Sequence, residues 1–196
     1  MKVVHFSSEA RPWASSGGLA EVANALSAAQ HEAGDTVWLW MPAYASAKAV
    51  IAQRGETLRE CGVSGEVTLP IGRWSWRALT LESRESSETA HGRRVGFIDC
   101  PDLFDRGGLY HGADHQSFSD NALRFFVFTR AAMEAAPLLM GSAPDILHAH
   151  DWQTALAPFW LATERPGAWG ACKSLFTIHN LGYPGRFSQR IAGELG

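Results

Sequence analysis

The stretch KVVHFSSEARPWASSGGLAEVANALSAAQHEAGDTVWLWM, residues 2–41, decides the fold. It opens with Val3, Val4, His5 and Phe6, a short β-rich run of the continuous kind that a strand buried on both faces requires. After a loop holding Pro12 and Trp13, Ser15-Ser16-Gly17-Gly18 breaks the pattern. Leu19, Val22, Ala23 and Leu26 then recur at i, i+3, i+4 and i+7, which places them on one helical face. Gly34-Asp35 stops the helix, and residues 36–41 (TVWLWM) form a second apolar run ended by Pro42. Strand, helix and strand at this spacing make a βαβ unit, whose strands must run parallel.

Working outward, the middle of the chain offers three further β-like runs, at residues 66–71, 74–81 and 95–98. The polar stretch 82–94 between the last two reads as an exposed hairpin loop. Residues 101–119 are rich in turn formers, His and Asp, and a loop of that length inside a compact domain is more often functional than not. Residues 120–139 predict a long helix with Leu123, Phe126, Val127 and Ala131 on one face. Ile146-Leu147-His148-Ala149-His150 is the next strand. Asp151 is expected to cap a helix running from Trp152 to about Thr163. Residues 174–178 form a last strand that leads directly into His179-Asn180-Leu181-Gly182-Tyr183-Pro184-Gly185. Alternating strands and helices with antiparallel strands inserted midway specify an α/β domain, a doubly wound, mostly parallel, Rossmann-like sheet.

Composition narrows the function. The 196 residues are 46% hydrophobic and 19% charged, with a net charge of −3, which suits one globular domain and gives no basic footprint for nucleic acid. Three widely spaced cysteines (Cys61, Cys100, Cys172) make neither a disulfide framework nor a zinc-site pattern. No apolar run approaches the length needed to span a bilayer, and the N-terminus is too short and polar for a secretory signal. A cytoplasmic location is expected.

Ligands of open α/β sheets bind beyond the carboxyl ends of the strands. Every unusual polar cluster falls at such an end: residues 7–18, 148–151 and 179–185. Gly17 and Gly18 open a helix, where bare backbone and unpaired N–H groups favour an anion. The spacing is that of neither a dinucleotide fingerprint nor a P-loop, so a tight turn with a helix cap is an equally good reading. His148 and His150 share one face of a strand. They read either as a metal pair of a hydrolase or as one buried and one site-edge imidazole; the further ligands of such hydrolases are missing, as is any D-x-D pair. His179 and Asn180 suit hydroxyl-rich ligands, or serve to fix their loop. Trp13 and Trp152 lie near these clusters.

In order, VVHFSSEARPW, SSGGLAEV, YHG with FSDNALRF, HAHDWQTALAP and FTIHNLGYPGRF resemble the bacterial glycogen synthase and plant starch synthase family. The resemblance runs from about residue 2 to 187. It implies a retaining glucosyltransferase of the two-lobed GT-B fold. Such an enzyme transfers glucose from ADP-glucose to the non-reducing end of an α-1,4-glucan, without metal or other cofactor. By position, Gly17 and Gly18 would lie near the donor phosphates, His150 beside the transferred glucose, Asp120 against sugar hydroxyls, and Asn180 and Tyr183 near the cleft. Two positions depart from the family pattern: Ser15 stands where it has Lys, which should weaken donor binding, and Glu21 where it has Asp. The resemblance covers only an N-terminal, acceptor-side domain. The expectation is therefore that a C-terminal nucleotide-binding domain is absent, or acts as a separate partner, and that the chain alone is inactive or nearly so. The rival expectations are a non-catalytic glucan-binding or interaction domain and, more remotely, a metal-dependent hydrolase using His148 and His150.

Overall fold

The computed structural model describes residues 1–81, 93–164 and 167–196, so most of the expected 82–94 loop lies outside the described residues. In chain order the elements are β1 (Lys2–Phe6), α1 (Gly18–Glu32), β2 (Thr36–Pro42), α2 (Ala45–Gln53), β3 (Leu58–Leu69), β4 (Gly72–Leu81), β5 (Arg94–Asp99), α3 (Pro101–Phe104), α4 (Asn121–Met140), β6 (Ile146–His150), α5 (Leu156–Thr163), β7 (Lys173–Thr177) and α6 (Arg190–Leu195). The strands form one sheet in the order β3-β4-β5-β2-β1-β6-β7. The pairs β1–β2, β1–β6, β2–β5 and β6–β7 are parallel, and the inserted β3–β4–β5 pairs are antiparallel. This is the mostly parallel α/β sheet that the alternating pattern specifies.

Strand β1 lies at the centre of the five parallel strands, with Val3, Val4 and Phe6 buried against layers on both faces. Helix α4 is buried almost all round, Arg124, Phe125, Phe128 and Ala132 as well as Val127 and Ala131, so its apolar stripe is much wider than the one face expected. Helix α1 is rotated from expectation. Its buried residues are Leu19, Ala20, Ala23 and Ser27, while Val22 is 44% exposed. Small side chains let that face lie close to the sheet, and the Ser27 hydroxyl is satisfied by donating to Ala23 O at 2.7 Å. Helix α2 was not anticipated; only Ala47 and Ile51 are buried in it, and Tyr44 supplies no side-chain cap. The 101–119 segment contains the short helix α3.

Asp151 does not cap a helix. It sits at φ +57°, and the chain after it makes a 3₁₀ turn at Trp152–Thr154 before α5 begins. The cause is local: the Thr154 hydroxyl takes the His150 N–H at 2.8 Å and donates to His150 O at 2.9 Å, folding the segment back on its own strand. The Asp151 carboxylate instead accepts the His179 N–H at 2.6 Å.

The two sheet edges differ. On β3 the ladder is interrupted by an irregularity between Glu60 and Ser64, and polar side chains are exposed. On β7, Leu175 and Phe176 point to opposite faces and are 51% and 39% exposed. Strand β1 leads across to β2 on one side and has β6 on the other, so a topological switch point opens between the carboxyl ends of β1 and β6.

Candidate functional site

A cavity of about 590 Å³ lies at that switch point. Its walls are the start of α1 (Ser16, Gly17, Gly18, Leu19, Val22), the end of β1 (Glu9), the 105–120 loop (Tyr110, His111, Ser117) with Asn121, and the ends of β6 and β7 (Asp151, Trp152, Gln153, His179, Asn180, Tyr183). The long loop expected to be functional does reach the site.

Glu9 organises the first wall. Its buried carboxylate accepts the Ser16 N–H, the Ser16 hydroxyl at 2.7 Å and the Tyr110 hydroxyl at 2.6 Å. Tyr110 also meets Ser8 Oγ at 2.7 Å. Burial, with Tyr44 and Glu9 nearby, keeps the phenol well above its ordinary pKa, so it stays a donor. One carboxylate thus ties the glycine turn to a loop about a hundred residues away. The helix start it holds is open: Gly17, at the N-cap, is extended, no side chain caps α1, and a Cβ at Gly17 or Gly18 would touch nothing. The fold does not need glycine at either position for space, and the first-turn N–H groups are left to whatever occupies the cleft.

The opposite wall rests on four imidazoles. Parallel pairing sets His5 of β1 beside His148 of β6, and His150 beside Thr177 of β7. His5 Nδ1 lies 3.0 Å from His150 Nε2, and His150 Nδ1 lies 2.9 Å from His179 Nε2. His148 Nε2 meets Thr177 Oγ1 at 2.8 Å, and its ring stacks on His150 with centroids 4.1 Å apart. Burial lowers the pKa of His5 to about 4, against the opposing effect of its hydrogen bond to Gln30 Oε1. Burial and the neighbouring rings lower that of His150 to about 2, and burial also lowers that of His148. The inner rings are neutral near pH 7. Nitrogens of His5, His148 and His150 lie within 4.8 Å of one another, close enough for a metal ion. Both nitrogens of His5 and of His150 are already hydrogen-bonded, so an ion would have to displace those bonds.

The residues singled out from sequence divide by position. Gly17, Gly18, Asn180 and Tyr183 line the cavity. Asn180 Oδ1 accepts the Gly182 N–H at 2.9 Å, an Asx turn that shapes its loop. His150 is fully buried behind His179, the ring that reaches the cavity wall. Asp120 pairs with both Arg106 guanidinium nitrogens at 3.0 Å, and its neighbour Asn121 lines the cavity. Ser15 is exposed beside the glycine turn, its hydroxyl 3.5 Å from Gly17 O. Glu21 is exposed and pairs with Arg11 at 2.9 Å. Sequence reasoning missed Glu9, Tyr110, Gln153, His5 and Gln30. Trp152 sits between Phe125 and Phe187, and a Cβ at Gly185, whose φ is +67°, would overlap its indole.

Fold and site together define a Rossmann-like α/β domain carrying one wall of a switch-point cleft, with an open helix N-terminus facing imidazole and amide groups. The family model described as starch synthase catalytic domain matches residues 2–196. The chain is 38% identical over 195 residues to a glycogen synthase of Granulibacter bethesdensis, covering 94% of this chain and 35% of that protein. It is 35% identical over 207 residues to a glycogen synthase of Paramagnetospirillum magneticum, covering all of this chain and 38% of that protein. The catalytic domain of starch synthase IV from Arabidopsis thaliana, bound to ADP and acarbose, superposes with a TM-score of 0.75 at 29% identity, over all of this chain and 37% of that one. The chain therefore belongs to the starch synthase catalytic domain family, a glucosyltransferase family, and corresponds to its N-terminal domain. It spans a little over a third of the length of these relatives.

Proposed function

We propose that these residues form the acceptor-side wall of a retaining glucosyltransferase that moves glucose from ADP-glucose to the non-reducing end of an α-1,4-glucan. The observation that carries this reading is the uncapped start of α1, bare over Gly17 and Gly18, facing a cavity whose other walls are hydroxyl-binding groups. A diphosphate suits the helix end, and sugar hydroxyls suit Asn121, His179, Asn180 and Glu9. The Arabidopsis relative, with ADP and acarbose bound, supports the same pairing of ligands.

Among the described residues no Lys or Arg lines the cavity, so a diphosphate there meets only helix N–H groups. A second lobe supplying cations is required for turnover, and the 196 residues alone should not extend glucan appreciably. Ser15 at the edge of the glycine turn also favours a second reading, a domain that binds glucan without catalysis. Calorimetric titration separates the two. Weak ADP binding, strengthened about tenfold by Ser15→Lys, supports the transferase reading, since a cation beside a diphosphate contributes on the order of 1–2 kcal/mol. Maltooligosaccharide binding with no response to ADP in either protein selects the second reading. Binding of neither ligand overturns both.

A further inference from the structure

The hydrogen bonds beneath the cleft determine where each imidazole keeps its proton. Gln30, on α1, places Oε1 2.6 Å from His5 Nε2. A carbonyl oxygen only accepts, so His5 carries its proton on Nε2. His5 is fully buried and neutral, which makes its Nδ1 a bare lone pair that must accept from His150 Nε2–H at 3.0 Å. His150 is likewise buried and neutral, so its Nδ1 accepts from His179 Nε2–H at 2.9 Å. The chain ends there. Among the described residues His179 Nδ1 has no hydrogen-bond partner, and His179 lines the cavity. His148 stays outside the sequence of bonds, tied to Thr177, and braces the rings by stacking on His150.

We propose that Gln30, His5 and His150 form a one-way hydrogen-bond relay that fixes His179 as its Nε2–H tautomer and presents its Nδ1 lone pair to a hydroxyl of the ligand in the cleft. Gln30, His5 and His150 are positioning residues; His179 touches the ligand. The ligand half of the proposal rests on the reading of the cleft as a sugar site. The relay has a specificity consequence. A ring nitrogen that carries no proton takes a hydroxyl and repels the acceptor-only oxygens of a phosphate. It therefore sorts the two ends of a sugar nucleotide, hydroxyls toward His179 and phosphates toward α1.

The test is a long-range proton–nitrogen correlation spectrum of protein labelled with ¹⁵N-histidine, at pH 7.5–8. The expected result is protonated Nε2 and bare Nδ1 in His5, His150 and His179 alike. The reverse order, or a mixture at His179, overturns the relay. Gln30→Leu removes the terminal acceptor from a half-buried helix position at little cost in helix propensity. It should move all three rings together toward mixed tautomers, with the backbone amide spectrum otherwise unchanged. Gln30→Glu, which keeps an oxygen acceptor, should retain the wild-type pattern. No change in Gln30→Leu, or a change at His5 alone, overturns the relay; if Gln30→Leu does not fold, the wild-type and Gln30→Glu spectra decide. Added maltotetraose should shift His179 Nδ1. Shifts at the Asn180 and Tyr183 amides with none at His179 Nδ1 overturn hydroxyl recognition by His179 and leave the sugar reading standing. No binding at all overturns the sugar reading, with the tautomers judged separately.

Discussion

Arg124 and the histidine relay are both buried polar systems beside the cleft, and they are built to opposite rules. Arg124 is fully buried in α4 and ends every hydrogen bond it makes on an oxygen of its own surroundings: Leu103 O at 2.9 Å, Leu109 O at 2.8 Å and Asn121 Oδ1 at 2.7 Å. Its charge lies among the rings of Phe104, Phe118 and Phe125. That arrangement returns Nε and Nη1 to oxygens of the protein, leaves Nη2 without a hydrogen-bond partner among the described residues, and holds the 105–119 loop in place. The relay starts at a helix side chain, passes through two neutral rings, and ends at the cavity wall on a nitrogen that has no partner among the described residues. A polar network whose last atom is open at a cavity is poised for a ligand; one that returns to backbone carbonyls is structural.

The largest stability loss belongs to the Arg124 system. Arg124→Met should cost about 3–4 kcal/mol, because two backbone carbonyls lose a charged donor where water does not reach. For a domain of this size that is a fall in Tm of roughly 10 °C, read by thermal denaturation. A cost under about 1 kcal/mol would break the contrast.

The relay should instead reveal itself through pH. The unfolded chain takes up protons on histidine near 6.5, whereas folded His5 does not until about 4. Over that interval the unfolded state binds more protons, so stability falls as pH is lowered from 6.5 to 4, by up to about 3 kcal/mol for this group. Denaturant unfolding between pH 8 and 4 measures the slope. His5→Phe should remove this group's share of the slope and leave the share of His148 and His150, and Arg124→Met should lower the whole curve without changing its shape.

The smallest expected change in stability is at the glycine turn. Gly18→Ala meets open space and should shift stability by no more than about 0.5 kcal/mol, yet it should weaken ADP binding about tenfold by blocking approach to the helix N–H groups. Unchanged ADP affinity would place the anion elsewhere.

The sheet was legible in the sequence wherever apolar residues ran nearly unbroken, as in β1 and β2, because burial on both faces leaves little freedom in residue type. Helix α2 was not, since Ala47 and Ile51 alone give no period to detect. The site was half legible. Gly17, Gly18, Asn180 and Tyr183 announce themselves by residue type at strand ends and helix starts. Glu9 and Tyr110 become partners only when the chain brings positions about a hundred residues apart together. His5 was hidden inside a strand run whose neighbours are all apolar, and its role depends on register with β6. The helix expected directly after Asp151 failed because the Thr154 hydroxyl engages the His150 N–H and C=O, while the Asp151 carboxylate that would have capped it accepts the His179 N–H instead.

Among the described residues no strand pairs with the outer flank of β7, where Leu175 and Phe176 are exposed. A net charge of −3 supplies only modest mutual repulsion, and an open strand edge flanked by apolar side chains is a place where two molecules can pair. Strand β7 carries apolar residues on both faces of that edge, whereas β3 carries polar side chains and a broken ladder. Self-association of these 196 residues should therefore begin at one margin of the sheet, and a single Lys at Leu175 or Phe176 should suppress it without touching the cleft.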